Sequence, residues 1–191
     1  MRHMRLNYDC FKGRIALHAE DAAVLYEIAS LGKTYVEIGT LFGGSACIAG
    51  LAGCEVFCID PLDGYYSNKH GESERRDTRT GLVTSPDIVR ENWECCGLDP
   101  SKLHIYQQMH PPWPEELDRT FDVGLIDGDH SLLGVTRDYL GMSNRVKYLM
   151  FHDIKKIAVN LVWNRALKDG WVEYATDQKS HWMGVLERRE P

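Results

Sequence analysis

The chain has 191 residues, 43% of them hydrophobic, with 22 Lys and Arg against 28 Asp and Glu, a net charge of −6. That length supports a single domain, 1–191, around one sizeable core, and the acidic balance excludes a broad nucleic-acid-binding face, which needs clustered cations to neutralise phosphate. Its apolar runs fall short of the roughly 20 residues that span a bilayer, and Met1-Arg-His-Met-Arg-Leu6 carries no signal-like apolar stretch, so the expectation is a cytoplasmic protein with no membrane partner.

From Ile15 to Leu31 apolar residues recur at helical spacing (Leu17, Ala22, Leu25, Ile28, Ala29), with acids early and Gly32 at the end, which predicts a helical lead-in within residues 1–33. A strand follows at Thr34 to Ile38, a helix at Gly43 to Leu51 and a second strand at Glu55 to Ile59. Residues 61–85 are polar and show no apolar period; such a stretch inside a compact domain reads as a lid or as disorder. Tyr65, Tyr66 and His70 are its candidate lid or ligand contacts.

Ser85-Pro86-Asp87 opens a helix that ends near Cys96-Gly97, with Ser as cap and Pro at the first helical position. A third strand spans Leu103 to Tyr106. Pro111, Pro112 and Pro114 then forbid a regular helix and leave a short turn at Glu115 to Leu117. Phe121 to Ile126 forms a fourth strand, Leu132 to Met142 a helix, Lys147 to Phe151 a fifth strand and Lys156 to Lys168 a helix. Trp171 to Tyr174 and Trp182 to Leu186 read as a closing hairpin.

Strands alternating with helices predict an α/β fold: a doubly wound, mostly parallel seven-stranded sheet with an antiparallel C-terminal edge strand. Trp163, Trp171 and Trp182 read as core or subunit-interface residues. The six cysteines, at 10, 47, 54, 58, 95 and 96, show no C-x2-C pairing and read as reduced, mostly buried thiols, with zinc binding the alternative.

The chemistry begins at Tyr35-Val-Glu-Ile-Gly-Thr-Leu-Phe-Gly-Gly-Ser45, followed by Val56-Phe-Cys-Ile-Asp60. A strand, a glycine turn, a helix and a second strand ending in an acid make a nucleoside-binding βαβ unit. Asp60, 21 residues after Gly39, can accept hydrogen bonds from two ribose hydroxyls. The spacing is not G-x-G-x-x-G, no Walker lysine follows, and Glu37 beside the turn would repel phosphate and suit a cation. These residues resemble the first motif of the class I S-adenosylmethionine (SAM) methyltransferases, where an acid-x-glycine turn cradles the amino-acid end of SAM. The resemblance implies a cofactor site at Glu37, Gly39, Thr40, Gly43, Ser45 and Asp60.

A second cluster stands just past the fourth and fifth strands: Asp127, Asp129 and His130, then His152 and Asp153. Ligands of open α/β sheets gather at the carboxyl ends of strands, so these groups should converge on one rim. The carboxylates could hold a hard divalent ion, or His130 or His152 could serve as a general base. A plainer reading is helix capping by Asp127 and Asp153, and for Asp129 alone capping is favoured.

Ile126-Asp-Gly-Asp-His-Ser131, with Gly134-Val135, Arg137-Asp138 and Phe151-His-Asp-Ile154, resembles the motifs of a family that includes macrocin-type and other sugar O-methyltransferases and cephalosporin-hydroxylase-like proteins. The likeness runs from about Tyr35 to Ile154. It implies Mg2+ held at Asp127 and at the 152 and 153 positions, with His130 deprotonating a substrate hydroxyl. Here His152 replaces the first acid of the pair, which brings Mn2+ into consideration. The loop Gln107-Gln-Met-His110 lies where such enzymes hold the adenine, making Gln107 or Gln108 a candidate contact, with Trp113 beside the acceptor.

The implied activity is methyl transfer from SAM to a hydroxyl oxygen of a small molecule or sugar, with the lid or a second subunit of a homo-oligomer covering the acceptor. Two rivals stand beside it. One is a nicotinamide-dependent oxidoreductase, which Asp60 permits and the glycine spacing disfavours; the other is a non-catalytic SAM- or nucleotide-binding module whose rim acids only cap helices.

Overall fold

A computed structural model describes residues 10–68, 71–74, 81–176, 180 and 182–188. Helix α1 (Ala19–Ala29) leads into β1 (Thr34–Ile38), α2 (Gly44–Leu51) and β2 (Glu55–Ile59). Then come β3 (Tyr65–Asn68), β4 (Gly71–Glu74), α3 (Pro86–Cys95), β5 (Leu103–Tyr106), β6 (Phe121–Ile126), α4 (Leu132–Met142), β7 (Val146–Phe151), α5 (Ile157–Lys168), β8 (Trp171–Glu173) and β9 (Gly184–Arg188). Short 3-10 turns at Pro100–Lys102 and Glu115–Leu117 complete the set.

The main sheet has seven strands in the order β5-β2-β1-β6-β7-β9-β8. The first five are parallel, and β9 runs antiparallel to both its neighbours. This antiparallel strand was expected at the edge and lies one place in from it. Burial explains the order: Gly184, Val185 and Leu186 are buried in β9, whereas β8 is three residues long and ends on an exposed Glu173. The strand that needs cover on both faces therefore sits inside.

Side chains alternate between two apolar layers, as the pleat requires. Tyr35, Val56 and Cys58 face α1, α2 and Trp93 of α3; Val36, Ile38, Phe57 and Ile59 share the opposite layer with α4 and α5. Both faces are covered, which is why β1 and β2 read as nearly continuous apolar runs. Trp163 and Trp171 lie in the core. Trp182 is half-buried, with the Lys155 ammonium 5.3 Å from its ring centroid. Among the described residues no helix is long and apolar enough to cross a membrane.

Three further expectations are revised. The lead-in helix starts at Ala19 rather than Ile15, because Phe11, Ile15 and Leu17, which alternate in a two-residue rhythm, pack in non-helical chain against the core. The polar segment is not wholly irregular: β3 and β4 pair as an antiparallel hairpin, while His70 lies outside the described residues. The cysteines are not all reduced. Cys10 and Cys95 form a disulfide with Cα atoms 5.9 Å apart, a separation within the usual range. They stand 85 residues apart in sequence and meet only because the segment before α1 lies along the end of α3. Cys47, Cys54 and Cys58 are buried thiols, as expected.

Candidate active site

Strand order reverses between β1 and β6, since β2 and β5 lie on one side of β1 and all later strands on the other. That reversal opens a crevice at the carboxyl ends. The backbone ladder continues one step past the strands there: Gly39 N donates to Ile59 O (3.0 Å), Asp60 N to Tyr106 O (3.2 Å), Asp127 N to Ile38 O (2.9 Å) and His152 N to Ile126 O (3.1 Å). Each site residue is thus fixed by the neighbouring strand.

The turn after β1 is left-handed at three places, Gly39 (φ 94), Leu41 (φ 54) and Gly43 (φ 82). Asp60 holds it in shape: Oδ2 accepts hydrogen bonds from the backbone N–H of Thr40 (2.7 Å) and Leu41 (3.2 Å), and Oδ1 from that of Leu62 (2.9 Å). The structure therefore places this acid, expected to face a ribose, buried beneath the turn. A Cβ on Gly39 would lie 2.3 Å from the carbonyl oxygen of Asp127. The glycine turn and the acidic rim are consequently in backbone contact.

Glu37 is fully buried with Thr40 and Ser45 close by in the same turn and helix start. The Tyr35 hydroxyl donates to its Oε2 (2.8 Å) and the Cys58 thiol to its Oε1 (3.5 Å). Burial pushes the carboxyl up to about 7, against the pull of hydrogen bonds from Ser45 and Tyr35. Gln108 is half-buried and donates through Nε2 to Pro112 O (2.8 Å), tying its own loop together.

On the rim, two carboxylates and two imidazoles interleave. His130 Nε2 lies 3.0 Å from Asp153 Oδ2 and 3.4 Å from Asp127 Oδ1; His152 Nδ1 lies 3.1 Å from the same Asp127 oxygen and 3.7 Å from Asp153 Oδ2. Burial alone would lower the His130 pKa, but the neighbouring Asp127 and Asp153 carboxylates outweigh that and bring it to about 9. Burial raises and the imidazoles lower the pKa of Asp127, which ends below the ordinary value. Asp153 is likewise held low by His130 and Lys156, against its burial.

The capping alternative is answered by the helix starts. Ser131 caps α4, its Oγ accepting from Gly134 N (3.0 Å), and Asp129 supports that cap by accepting from Ser131 N and Oγ (2.8 Å each). Helix α5 has Lys156 at its cap position with no side-chain capping bond. Asp127 and Asp153 cap neither helix, and Asp153 adopts φ 59, an uncommon conformation for a residue with a Cβ.

Two buried acids complete the surroundings. Asp21, in the first turn of α1, accepts a hydrogen bond from the Ser180 hydroxyl, and its Oδ2 lies 3.6 Å from His152 Nε2. In sequence it is an ordinary acid at a helix start, and only its burial separates it from a dipole partner. Asp138 of α4 lies 2.9 Å from His110 Nδ1, joining the loop after β5 to the helix behind the rim.

No family model matches the chain, and no curated protein matches it. Solved structures do. The chain is similar to the O-methyltransferase NovP, with a TM-score of 0.64 and 16% identity over 88% of this chain and 78% of that one. It is also similar to the O-methyltransferase TomG from Streptomyces achromogenes, solved in complex with SAM, with a TM-score of 0.58 and 12% identity over 91% and 82%. An rRNA methylase from Streptococcus thermophilus is similar at a TM-score of 0.55 and 9% identity over 93% and 100%. The fold is that of the class I SAM-dependent methyltransferases.

Proposed function

We propose that the chain is a SAM-dependent methyltransferase that alkylates a hydroxyl oxygen of a small molecule or sugar. The observation that supports this is the close approach of Gly39 to Asp127: the glycine turn and the acid–imidazole rim share one crevice, as transfer from a bound sulfonium to a nearby oxygen would require. The net charge of −6 favours a small acceptor over nucleic acid.

Displacement at a sulfonium carbon needs the acceptor in line with the departing sulfur and little else, so alignment and exclusion of water supply most of the rate. His130 accepts the hydroxyl proton, and Asp127 and Asp153 offset the imidazolium charge that results. Glu37 sets a negative potential beneath the turn, and Gln108 offers an amide toward an adenine edge. Asp127, His152 and Asp153, with His152 Nδ1 3.1 Å from Asp127 Oδ1 and 3.7 Å from Asp153 Oδ2, are a mixed oxygen and nitrogen set that fits Mg2+ or, better, Mn2+; when bound, such an ion would make the acceptor hydroxyl more acidic and leave His130 as the base.

SAM calorimetry tests the reading: SAM should bind and NAD should not. Asp60→Ala should weaken SAM binding on the order of tenfold to a hundredfold, because it removes both a hydroxyl acceptor and the brace of the turn. Unchanged affinity would defeat the ribose assignment. Glu37 adds a pH signature. A cation bound above it favours the carboxylate, so affinity should rise with pH through about 7 as the free protein's Glu37 ionises. Glu37→Gln should flatten that rise in the same buffers, a comparison that cancels any titration of SAM itself.

A further inference from the structure

We propose that the Cys10–Cys95 bridge is a thiol–disulfide exchange site for a dithiol reductant, and that opening it loosens the glycine turn; the second part rests on the SAM reading. Cys10 is exposed and Cys95 half-buried, so an incoming thiolate can reach the bond. The bridge pins the segment before α1 to the end of α3, and that segment lies against the turn.

Asn92 of α3, which is fully buried, makes the connection. Its Oδ1 accepts from Lys12 N (2.6 Å), and its Nδ2 donates to Lys12 O (2.8 Å) and to Phe42 O (2.8 Å) within the turn. Packing repeats the link. A Cβ on Gly13 would lie 2.5 Å from the Phe42 ring, and one on Gly44 would lie 3.0 Å from Ile15. A second pair of sulfurs adjoins the first: the thiol of Cys96, next in sequence to Cys95, interacts with that of Cys47, in the helix that starts at the turn.

In the exchange, one thiolate of the reductant attacks a bridge sulfur, forms a mixed disulfide and expels the other cysteine, which takes a proton. The second thiol of the reductant then displaces the remaining protein sulfur and closes its own ring. Two electrons and two protons pass from the dithiol to Cys10 and Cys95. With the bridge open, Lys12 no longer has a covalent anchor two residues away, and the Asn92 contacts that reach Phe42 lose their fixed partner.

The test uses the full chain, air-oxidised or treated with dithiothreitol, with thiol alkylation counted by mass spectrometry, hydrogen exchange followed over residues 39–44 and SAM affinity measured by calorimetry. Reduction should expose two further alkylatable thiols, speed exchange in the turn and weaken SAM binding on the order of fivefold. Cys10→Ser should show the weaker affinity in both conditions. Equal exchange and equal affinity in the two states would overturn the proposal, as would one zinc ion per chain protecting Cys10, Cys47, Cys95 and Cys96 together. SAM binding in neither state, with exchange still responding to reduction, would overturn the SAM reading and leave the exchange site standing.

Discussion

Gly39→Ala should abolish SAM binding and destabilise the protein by roughly 3 kcal/mol or more. The added methyl would lie 2.3 Å from the Asp127 carbonyl oxygen and 2.7 Å from the Gly128 nitrogen, both backbone atoms that no rotamer change can move aside. The residue would also have to hold φ 94, which L side chains rarely adopt. The relief available is separation of β1 from the start of the rim loop, which pulls the cofactor turn off the acid–imidazole cluster. Gly53→Ala is the control: φ is 104 there, but a Cβ would meet nothing within 4 Å, so about 1 kcal/mol of strain and no loss of SAM affinity are expected. Urea unfolding and SAM calorimetry on the two variants give the answer, and equal behaviour would mean that the Gly39–Asp127 approach has no part in binding.

The second large effect belongs to His130. Its alanine variant should lose about a hundredfold to ten-thousandfold in turnover on whichever hydroxyl acceptor a screen identifies. The acids that orient the ring also keep it protonated, so in chelator-treated protein the rate should climb with pH until about 9, where the neutral imidazole takes over. His130 should titrate near 9 by NMR, and Asp153→Asn should bring that value down. Stability follows by linkage. The histidine's contribution is complete below its unfolded value of about 6.5 and fades as pH rises toward 9; those of Asp127 and Asp153, whose pKa values are depressed, are complete above about 4 and fade in acid. Thermal melts should show the rim most stabilising between roughly pH 4 and 6.5, and a His130 titration at its ordinary value would reject the arrangement.

Local pattern made much of this legible. β1, β2, β5, β6 and α4 have the bounds read from the sequence; β1 stops at Gly39, β2 just before Asp60-Pro61, and α4 starts after the capping Ser131, boundaries set by neighbouring residues. The placing of Asp127, His130, His152 and Asp153 on one rim followed from topology alone. What failed to show depends on contacts across the chain. Nothing near Asp21 in sequence signals His152, and nothing near Cys10 signals Cys95. Asp60 was legible as an acid at a strand end, but its hold on Thr40 and Leu41 is a property of the folded turn.

That hold bears on how fast a nucleoside arrives and leaves. Oδ2 of Asp60 already accepts from two backbone N–H groups and Oδ1 from a third, so on the proposed function a grip on both ribose hydroxyls would displace at least one of these donors from a carboxylate that offers about four lone pairs. Loading then includes a rearrangement as well as a collision, and its observed rate should level off at high ligand concentration. If the proposed function holds, departure of the spent nucleoside would let those N–H groups reclaim the carboxylate, a latch that would favour product escape and tie each turnover to one opening and one closing of the turn.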